Sequence, residues 1–182
     1  AYEDHCSTCD ADTTNDCVLL SLSSVSEGSA SITYVSTHAI SGFQMNISGL
    51  TIASSDSDIG EVDFNASSGA LLGFNLGGAD LPPTCVYDGY GELCPLDGAA
   101  ELLIIDFAGN YMGYDLEIAD VILLDNQDNP GNLPVSSVSS LSIVACTDVD
   151  SDTVCNTVDQ CDGDDADPDT DGDGVCEDID AC

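Results

Sequence analysis

Residues 43–48 read FQMNIS, a run in which apolar side chains alternate strictly with polar ones. Because successive side chains of a β-strand point to opposite faces, this alternation predicts a strand with one buried face. Residues 72–76, LGFNL, repeat the alternation with Leu72, Phe74 and Leu76 at the apolar positions. Both stretches therefore predict half-buried strands.

Longer apolar runs occur at residues 18–20, 102–105 and 121–124. Continuous apolar character of this kind is typical of central strands in a sandwich. Clusters of Gly, Ser, Asn and Pro separate the runs, and no long amphipathic helical pattern interrupts them. About eight or nine short strands punctuated in this way predict an all-β fold, a two-sheet β-sandwich or jelly roll.

The run AISGFQMNI at residues 39–47 resembles a strand of cohesin-like domains. In that family the strand follows an opening strand pair, which residues 18–25 and 30–36 match, and residues 102–107 and 118–124 match the late strands. The resemblance implies a jelly-roll sandwich of about nine strands and a role in extracellular assembly by protein–protein contact. The dockerin partner of that family is not carried over to this chain.

The chain is strongly acidic, with 35 Asp and Glu among 182 residues, no Lys or Arg, and a formal net charge of −35. Nucleic acids and anionic lipid surfaces bind through cationic side chains, so the composition disfavours both partners. Phosphate and carboxylate substrates lack their usual Arg or Lys clamp. No apolar run approaches the ~20 residues of a membrane span. A fold that repels itself so strongly favours bound counter-cations.

The acidic residues are unevenly distributed along the chain. Residues 148–182 hold 14 of them, residues 18–147 hold 16, and residues 1–17 hold 5. We therefore divide the chain into a Cys-rich segment (1–17), a cohesin-like sandwich (18–147) and calcium-binding repeats (148–182). A segment so rich in acids cannot fold on apolar burial alone and needs metal ions or disulfides.

The acidic segment repeats itself: DVDSDTVC at residues 148–155 returns 21 residues later as DTDGDGVC at residues 169–176. Carboxylates at loop positions 1, 3 and 5 converge on an ion when the backbone curls around it. Position 7 adds a carbonyl, and positions 9 and 12 complete the oxygen shell that Ca²⁺ prefers; Mg²⁺ is disfavoured because it resists full dehydration. A merely solvated acidic tail has no reason to repeat this spacing, so the predicted cofactor is Ca²⁺.

The predicted ligands come from two loops and the stretch between them. The first loop supplies Asp148, Asp150, Asp152, the Val154 carbonyl, Asn156 and Asp159. The second loop supplies Asp169, Asp171, Asp173, the Val175 carbonyl, Glu177 and Asp180. Between them, further oxygens or a third site come from Asp162, Asp164 and Asp167. The pattern resembles thrombospondin type 3 repeats, and more distantly dockerin and EF-hand loops. That resemblance implies Ca²⁺ wrapped by irregular backbone, with disulfides in place of a hydrophobic core.

Ten cysteines, clustered at the two ends and in one loop, predict disulfides formed in an oxidising compartment. Zinc binding is the disfavoured alternative, because the chain has only two His and no paired zinc motif. Sequence alone does not fix the connectivity. The pairs we expect are Cys85–Cys94, Cys155–Cys161, Cys176–Cys182 and Cys17–Cys146, with Cys6 and Cys9 paired locally or available to a neighbour.

No active site is predicted. His5 and His38 are the only imidazoles, and no nucleophile elbow, phosphate loop or metalloprotease motif is present. Glu101 and Asp106 could form a glycosidase dyad, but chance acid pairs are plentiful among 35 acids. We therefore expect a protein that is not an enzyme.

These features predict a secreted or cell-surface, calcium-binding structural protein, a subunit of a head-to-tail filament or fibre. Residues 1–17 resemble half of a calcium repeat, so the tail of one subunit could meet the head of the next, and strand 18–25 could complete a neighbour's sheet. The alternative is a cell-surface adhesin, or a module with a calcium-stiffened stalk that binds carbohydrate or another extracellular protein. Asn46 and Asn65 begin N-glycosylation sequons.

Overall fold

The computed structural model describes residues 2–3, 9–10, 17–26, 28–77, 80–85, 98–109, 115–125, 132–136, 141–142, 146–149 and 155–156. All regular elements in these residues are β-strands, and most belong to two main sheets, which confirms the all-β, two-sheet prediction. Within the same residues, no helix has the length and hydropathy to cross a bilayer.

The strands are numbered in chain order. Their bounds are β1 Tyr2–Glu3, β2 Cys9–Asp10, β3 Val18–Ser26, β4 Ser29–Val35, β5 Gly42–Ser48, β6 Thr51–Asp56, β7 Glu61–Asn65, β8 Ala70–Phe74, β9 Ala100–Ala108, β10 Asp115–Leu124, β11 Asn132–Leu133, β12 Val135–Ser136 and β13 Leu141–Ser142. β1 and β2 pair only with each other in the described residues, as a small antiparallel ribbon.

One sheet, called the front sheet here, has the order β11-β10-β5-β8-β7, and β13 also pairs with β10. All its pairs are antiparallel. β5 is the strand predicted from residues 43–48, and its apolar side chains Phe43, Met45 and Ile47 are buried. The alternation in the sequence therefore identified the inner face of this strand correctly.

The other sheet, called the back sheet, has the order β12-β3-β4-β9-β6. β12 runs parallel to β3, and the remaining pairs are antiparallel. Along the chain, β11 pairs with β10 of the front sheet, β12 with β3 of the back sheet, and β13 with β10 again. The short strands β11, β12 and β13 therefore tie the two sheets together along one side of the sandwich.

A single apolar cluster fills the space between the sheets. Ile32 and Ile105 of the back sheet belong to it together with Phe43 and Ile47 of the front sheet. Each such side chain, when fully buried, stabilises the fold by about 1.5–3 kcal/mol. Tyr34 is buried in the same cluster and keeps its hydroxyl paired by donating a hydrogen bond of 2.8 Å to the Pro82 carbonyl.

The side of the strand in residues 72–76 that was predicted to be buried is wrong. The strand is β8, which ends at Phe74, and its buried positions are Leu71 and Gly73; Leu72 is 44% exposed and Leu76 is 78% exposed. The cause is the side chain opposite Gly73: a Cβ at residue 73 would collide with the Phe43 ring. Because Phe43 fills the space on that side, Gly73 faces the core and Leu72 faces outward.

The proposed donation of residues 18–25 to a neighbour's sheet is also corrected. These residues form β3, which pairs with β4 of its own chain over most of its length. Val18 and Leu20 are buried in the chain's own core. Donating β3 would expose this apolar surface, so β3 is an integral strand of its own sandwich.

The disulfide pairing at the C-terminal end differs from the expectation. Cys146 pairs with Cys155, with a Cα–Cα distance of 5.4 Å, so neither the Cys17–Cys146 nor the Cys155–Cys161 pair forms. The Asn156 backbone N–H donates to the Thr147 carbonyl at 2.9 Å, which brings the chain back beside Cys146. This return places the two Cα atoms within the range that a disulfide requires.

Candidate interaction surface

A bulge in β10 decides which of its side chains face outward. Ala119 pairs with Asn46 and Ile122 pairs with Gln44, so three steps along β10 match two steps along β5. Asp120 lies within this bulge and has a φ of 53°, in the left-handed region that Asp tolerates better than most residues. The extra residue reverses the facing of every later side chain on the strand.

The reversal is visible in the burial of β10. Leu116 before the bulge and Leu123 after it are both buried, although seven positions apart they would face opposite ways in a regular strand. Leu124 consequently lies on the outer face and is 43% exposed. Ile122, on the same outer face, is half-buried.

The strand register places these side chains in two transverse rows on the outer face of the front sheet. One row runs Leu124, Gly42, Phe74, and the next runs Ile122, Gln44, Leu72. Leu72, Phe74, Ile122 and Leu124 together are called the apolar stripe below. Gly42 adds no side chain between them, and Leu124 Cδ1 lies only 3.4 Å from the point that a Cβ on Gly42 would occupy.

Acidic side chains surround the apolar stripe. Glu61 and Asp63 on β7 continue the two rows at the edge of the sheet, and both are exposed. Glu117 and Asp120 are exposed on β10. With no Lys or Arg in the chain, no basic side chain other than His is available to neutralise this rim.

Asn46 connects the centre of this face to the bulge. Its side-chain nitrogen, Nδ2, donates a hydrogen bond to Asp120 Oδ2 at 3.0 Å. The bond spans β5 and β10 and helps to hold Asp120 in its left-handed conformation.

The predicted calcium ligands are described at only two positions, Asp148 and Asn156. Both lie at the root of the acidic tail, next to the buried Cys146–Cys155 disulfide. Asn156 Oδ1 accepts a hydrogen bond from the Val149 backbone N–H at 3.0 Å. An amide oxygen has two lone pairs, and this hydrogen bond uses one of them.

All other predicted calcium ligands lie outside the described residues, and the calcium site stays a prediction. Among the residues that the structure does describe, no three His, Cys, Asp or Glu side chains are grouped closely enough to hold a metal. Cys17 and Cys85 are disulfide-bonded, and the predicted partner of Cys85, Cys94, is outside the described part. The following predicted site residues are likewise outside it: Asp150, Asp152, Val154, Asp159, Asp162, Asp164, Asp167, Asp169, Asp171, Asp173, Val175, Glu177, Asp180, Cys6, Cys161, Cys176 and Cys182.

Sequence reasoning did not identify the apolar stripe. It assigned Leu72 and the run 121–124 to buried strand positions, whereas Leu72 and Leu124 are exposed. A usable signal was present at Gly73: a glycine between two apolar residues marks a close approach on one face of a strand. The sequence carries no comparable signal for the bulge at Asp120, which lies immediately before the apolar run at residues 121–124.

Comparison with known proteins gives similarity of fold. No family model and no curated protein matches this chain by sequence. A cohesin solved in complex with a dockerin, CaCohA2 from Clostridium acetobutylicum, matches 70% of this chain and 99% of its own at 15% identity and a TM-score of 0.46.

Two further cohesins are similar. A non-cellulosomal cohesin from the archaeon Archaeoglobus fulgidus covers 71% of this chain and 92% of its own, at 10% identity and a TM-score of 0.44. A type I cohesin from Clostridium thermocellum, also solved with a dockerin, covers 74% and 96%, at 9% identity and a TM-score of 0.45. These three solved structures are cohesin domains.

Proposed function

We propose that this chain is a non-catalytic, calcium-binding structural subunit that assembles head to tail outside the cell. The apolar stripe is the observation that carries the proposal. It exposes Leu72 and Leu124 to solvent on a chain whose net charge is −35. Apolar side chains that are exposed together within a charged rim are a common mark of a protein-binding surface.

The charges favour a second copy of this chain, carrying Ca²⁺ on its acidic tail, as the occupant of the stripe. A surface with an apolar centre and an acidic rim complements one that offers apolar groups and cations. Because the chain has no Lys or Arg, bound calcium is the main source of positive charge that its own copies can offer. This arrangement gives a heterologous contact, which repeats into an open fibre.

The buried disulfide at the root of the tail would let such a contact transmit mechanical force to the sandwich. Cys146 and Cys155 are buried in the apolar cluster of the sandwich and joined to each other. A pull on the chain beyond Cys155 would therefore be transmitted to the sandwich core through a covalent link. Residues 147–154 would be bypassed by that load.

Assembly is tested by light scattering and electron microscopy of the purified chain with Ca²⁺ and with a chelator. Leu72→Asp would place a charge in the contact, at a cost of several kcal/mol for a buried, unpaired carboxylate. Since 1.4 kcal/mol corresponds to a factor of ten, assembly should weaken at least ~100-fold. The matched control is Leu76→Asp, the same substitution at an exposed residue after the end of β8.

Filaments that form with Ca²⁺, dissolve with chelator, and are lost in Leu72→Asp but kept in Leu76→Asp are the expected result. A chain that stays monomeric in saturating Ca²⁺ would refute the filament. Binding of that monomer to a carbohydrate or to another extracellular protein would instead favour the adhesin alternative.

Calcium binding is tested separately from assembly, by calorimetry and thermal unfolding at low protein concentration. Extracellular calcium modules bind at about 10⁻⁴–10⁻³ M, and we expect a calcium-dependent rise in the melting temperature. Asp171→Ala or Asp173→Ala should weaken binding, whereas Asp178→Ala, in the same repeat but outside the predicted ligand set, should not. Equal effects of all three substitutions would contradict the ligand assignment.

A further inference from the structure

The two glycosylation sequons occupy different environments on the same face. Asn46 and Asn65 both pair with Ala70 in the front-sheet register, so they lie in one transverse row on its outer face. Asn46 is in the central strand β5, whereas Asn65 is the last residue of the edge strand β7. The sequence motif is the same in both cases, but the surroundings of the acceptor amide are not.

The Asn46 amide nitrogen is already engaged. Its Nδ2 donates to Asp120 Oδ2 at 3.0 Å, and the side chain is half-buried. Ala119 on β10 and Ala70 on β8 flank it directly in the row. Transfer of a sugar to this nitrogen would require the bond to Asp120 to break within a hydrogen-bonded sheet.

The Asn65 amide is held through its oxygen and not through its nitrogen. Its Oδ1 accepts hydrogen bonds from the Ser67 backbone N–H at 3.0 Å and from the Ser68 backbone N–H at 3.1 Å. In a planar amide, an oxygen turned toward the backbone directs Nδ2 away from it. Asn65, Ala66 and Ser67 are all exposed, so the whole sequon is open to an enzyme.

The residue two positions before each asparagine also differs. It is Asp63 before Asn65 and Gln44 before Asn46, and in a strand it shares the face of the asparagine. A transferase with a cationic peptide-binding site would therefore favour the Asn65 sequon.

We propose that Asn65, and not Asn46, is an N-glycosylation site of the folded protein. The donor is an oligosaccharide carried on a polyprenyl diphosphate. A bond forms between the anomeric carbon of the sugar and Asn65 Nδ2, the bond from that carbon to the phosphate oxygen breaks, Nδ2 loses a proton, and the lipid diphosphate leaves. The inference is independent of the proposed assembly.

A glycan at Asn65 leaves the β10 side of the apolar stripe accessible, whereas Leu72 lies only one strand and one row from Asn65, about 8 Å. Leu124 lies three strands and two rows away, about 20 Å at typical strand and residue spacings. A glycan at Asn46 would be one row, about 7 Å, from Gln44 in the middle of the stripe. The site is thus at the edge of the face, where it would also protect the edge strand β7 from pairing with another chain.

The test uses the purified, folded full chain, a single-subunit oligosaccharyltransferase that accepts folded proteins, and its lipid-linked oligosaccharide. Intact-mass spectrometry counts the glycans, and digestion with proteases that cleave at Asp and Glu locates them, since the chain has no Lys or Arg for trypsin. The matched variants are Ser67→Ala and Ser48→Ala, which remove one sequon each and leave both asparagines in place.

The expected result is one added oligosaccharide on the unaltered chain and on Ser48→Ala, and none on Ser67→Ala. An unmodified unaltered chain would overturn the proposal. So would a glycan on Asn46, detected either as a second addition or as a single addition that survives in Ser67→Ala.

Discussion

The bulge at Asp120 makes a prediction that can be worked out in free energy. A non-glycine residue in the left-handed region costs roughly 1–2 kcal/mol, and Asp pays less than most because its side chain forms local hydrogen bonds. Asp120→Ala keeps the backbone cost and loses the bond from Asn46, which at an exposed site contributes about 0.5 kcal/mol. Asp120→Gly loses the same bond and about 0.5–1 kcal/mol to the greater chain entropy of glycine, but it removes the backbone cost.

We therefore expect Asp120→Ala to lower the free energy of unfolding by about 1 kcal/mol, and Asp120→Gly to leave it nearly unchanged. The matched control is Ala119→Gly at the preceding position, where a glycine in a regular strand should destabilise by about 0.5–1 kcal/mol. Urea unfolding in saturating Ca²⁺, followed by tyrosine fluorescence because the chain has no Trp, measures all three. If Asp120→Gly unfolds more easily than Asp120→Ala, the bulge does not depend on the left-handed conformation and the reasoning fails.

Three further predictions concern the core. Gly73→Ala should lower the free energy of unfolding by about 1–3 kcal/mol because its methyl group meets the Phe43 ring. Adding Phe43→Leu should recover part of this loss, as measured by urea unfolding. If the losses from the two substitutions simply add, the contact is contradicted. The double variant Cys146→Ala/Cys155→Ala should lower the free energy of unfolding by about 2–3 kcal/mol, the value for a short disulfide loop, and unchanged stability would show that the bond does not constrain the fold. Burial raises the pKa of Tyr34 above its ordinary value of 10.0, so the neutral phenol stabilises the fold below that pH, and the stabilisation is lost as pH rises through the higher folded value. Unfolding of Tyr34→Phe should therefore depend less on pH above 10.0 than unfolding of the unaltered chain, and parallel profiles would refute this.

The inner face of β5 was predictable because its side-chain alternation reports burial directly. β5 follows its pattern residue by residue, since Phe43, Met45 and Ile47 point into one core. The alternation predicts the buried face of β5 correctly because no bulge interrupts its pairing with β8.

The outer face was not predictable, and the reason is physical. In β10 the facing of Ile122 and Leu124 depends on one extra residue at Asp120, which only the pairing with β5 reveals. In β8 the facing of Leu72 depends on the Phe43 ring of another strand. Disulfide partners are likewise not set by local spacing alone, because Cys155 lies beside Cys146 where the Asn156 N–H donates to the Thr147 carbonyl.

The placement of charge on the front face favours a contact that is linked to cations over simple apolar adhesion. The six positions in the two rows across β10, β5 and β8 carry no charge, and the acids begin at Glu61, Asp63 and Asp120 around them. A second acidic copy that covered the stripe would bring its own carboxylates within the Debye length of about 8–10 Å. Monovalent salt screens such repulsion over distance but does not neutralise carboxylates in close contact. A calcium ion held by several oxygens does, and Mg²⁺ does so less readily because it keeps its water shell. Calcium concentration, more than ionic strength, should therefore control whether copies of this chain associate.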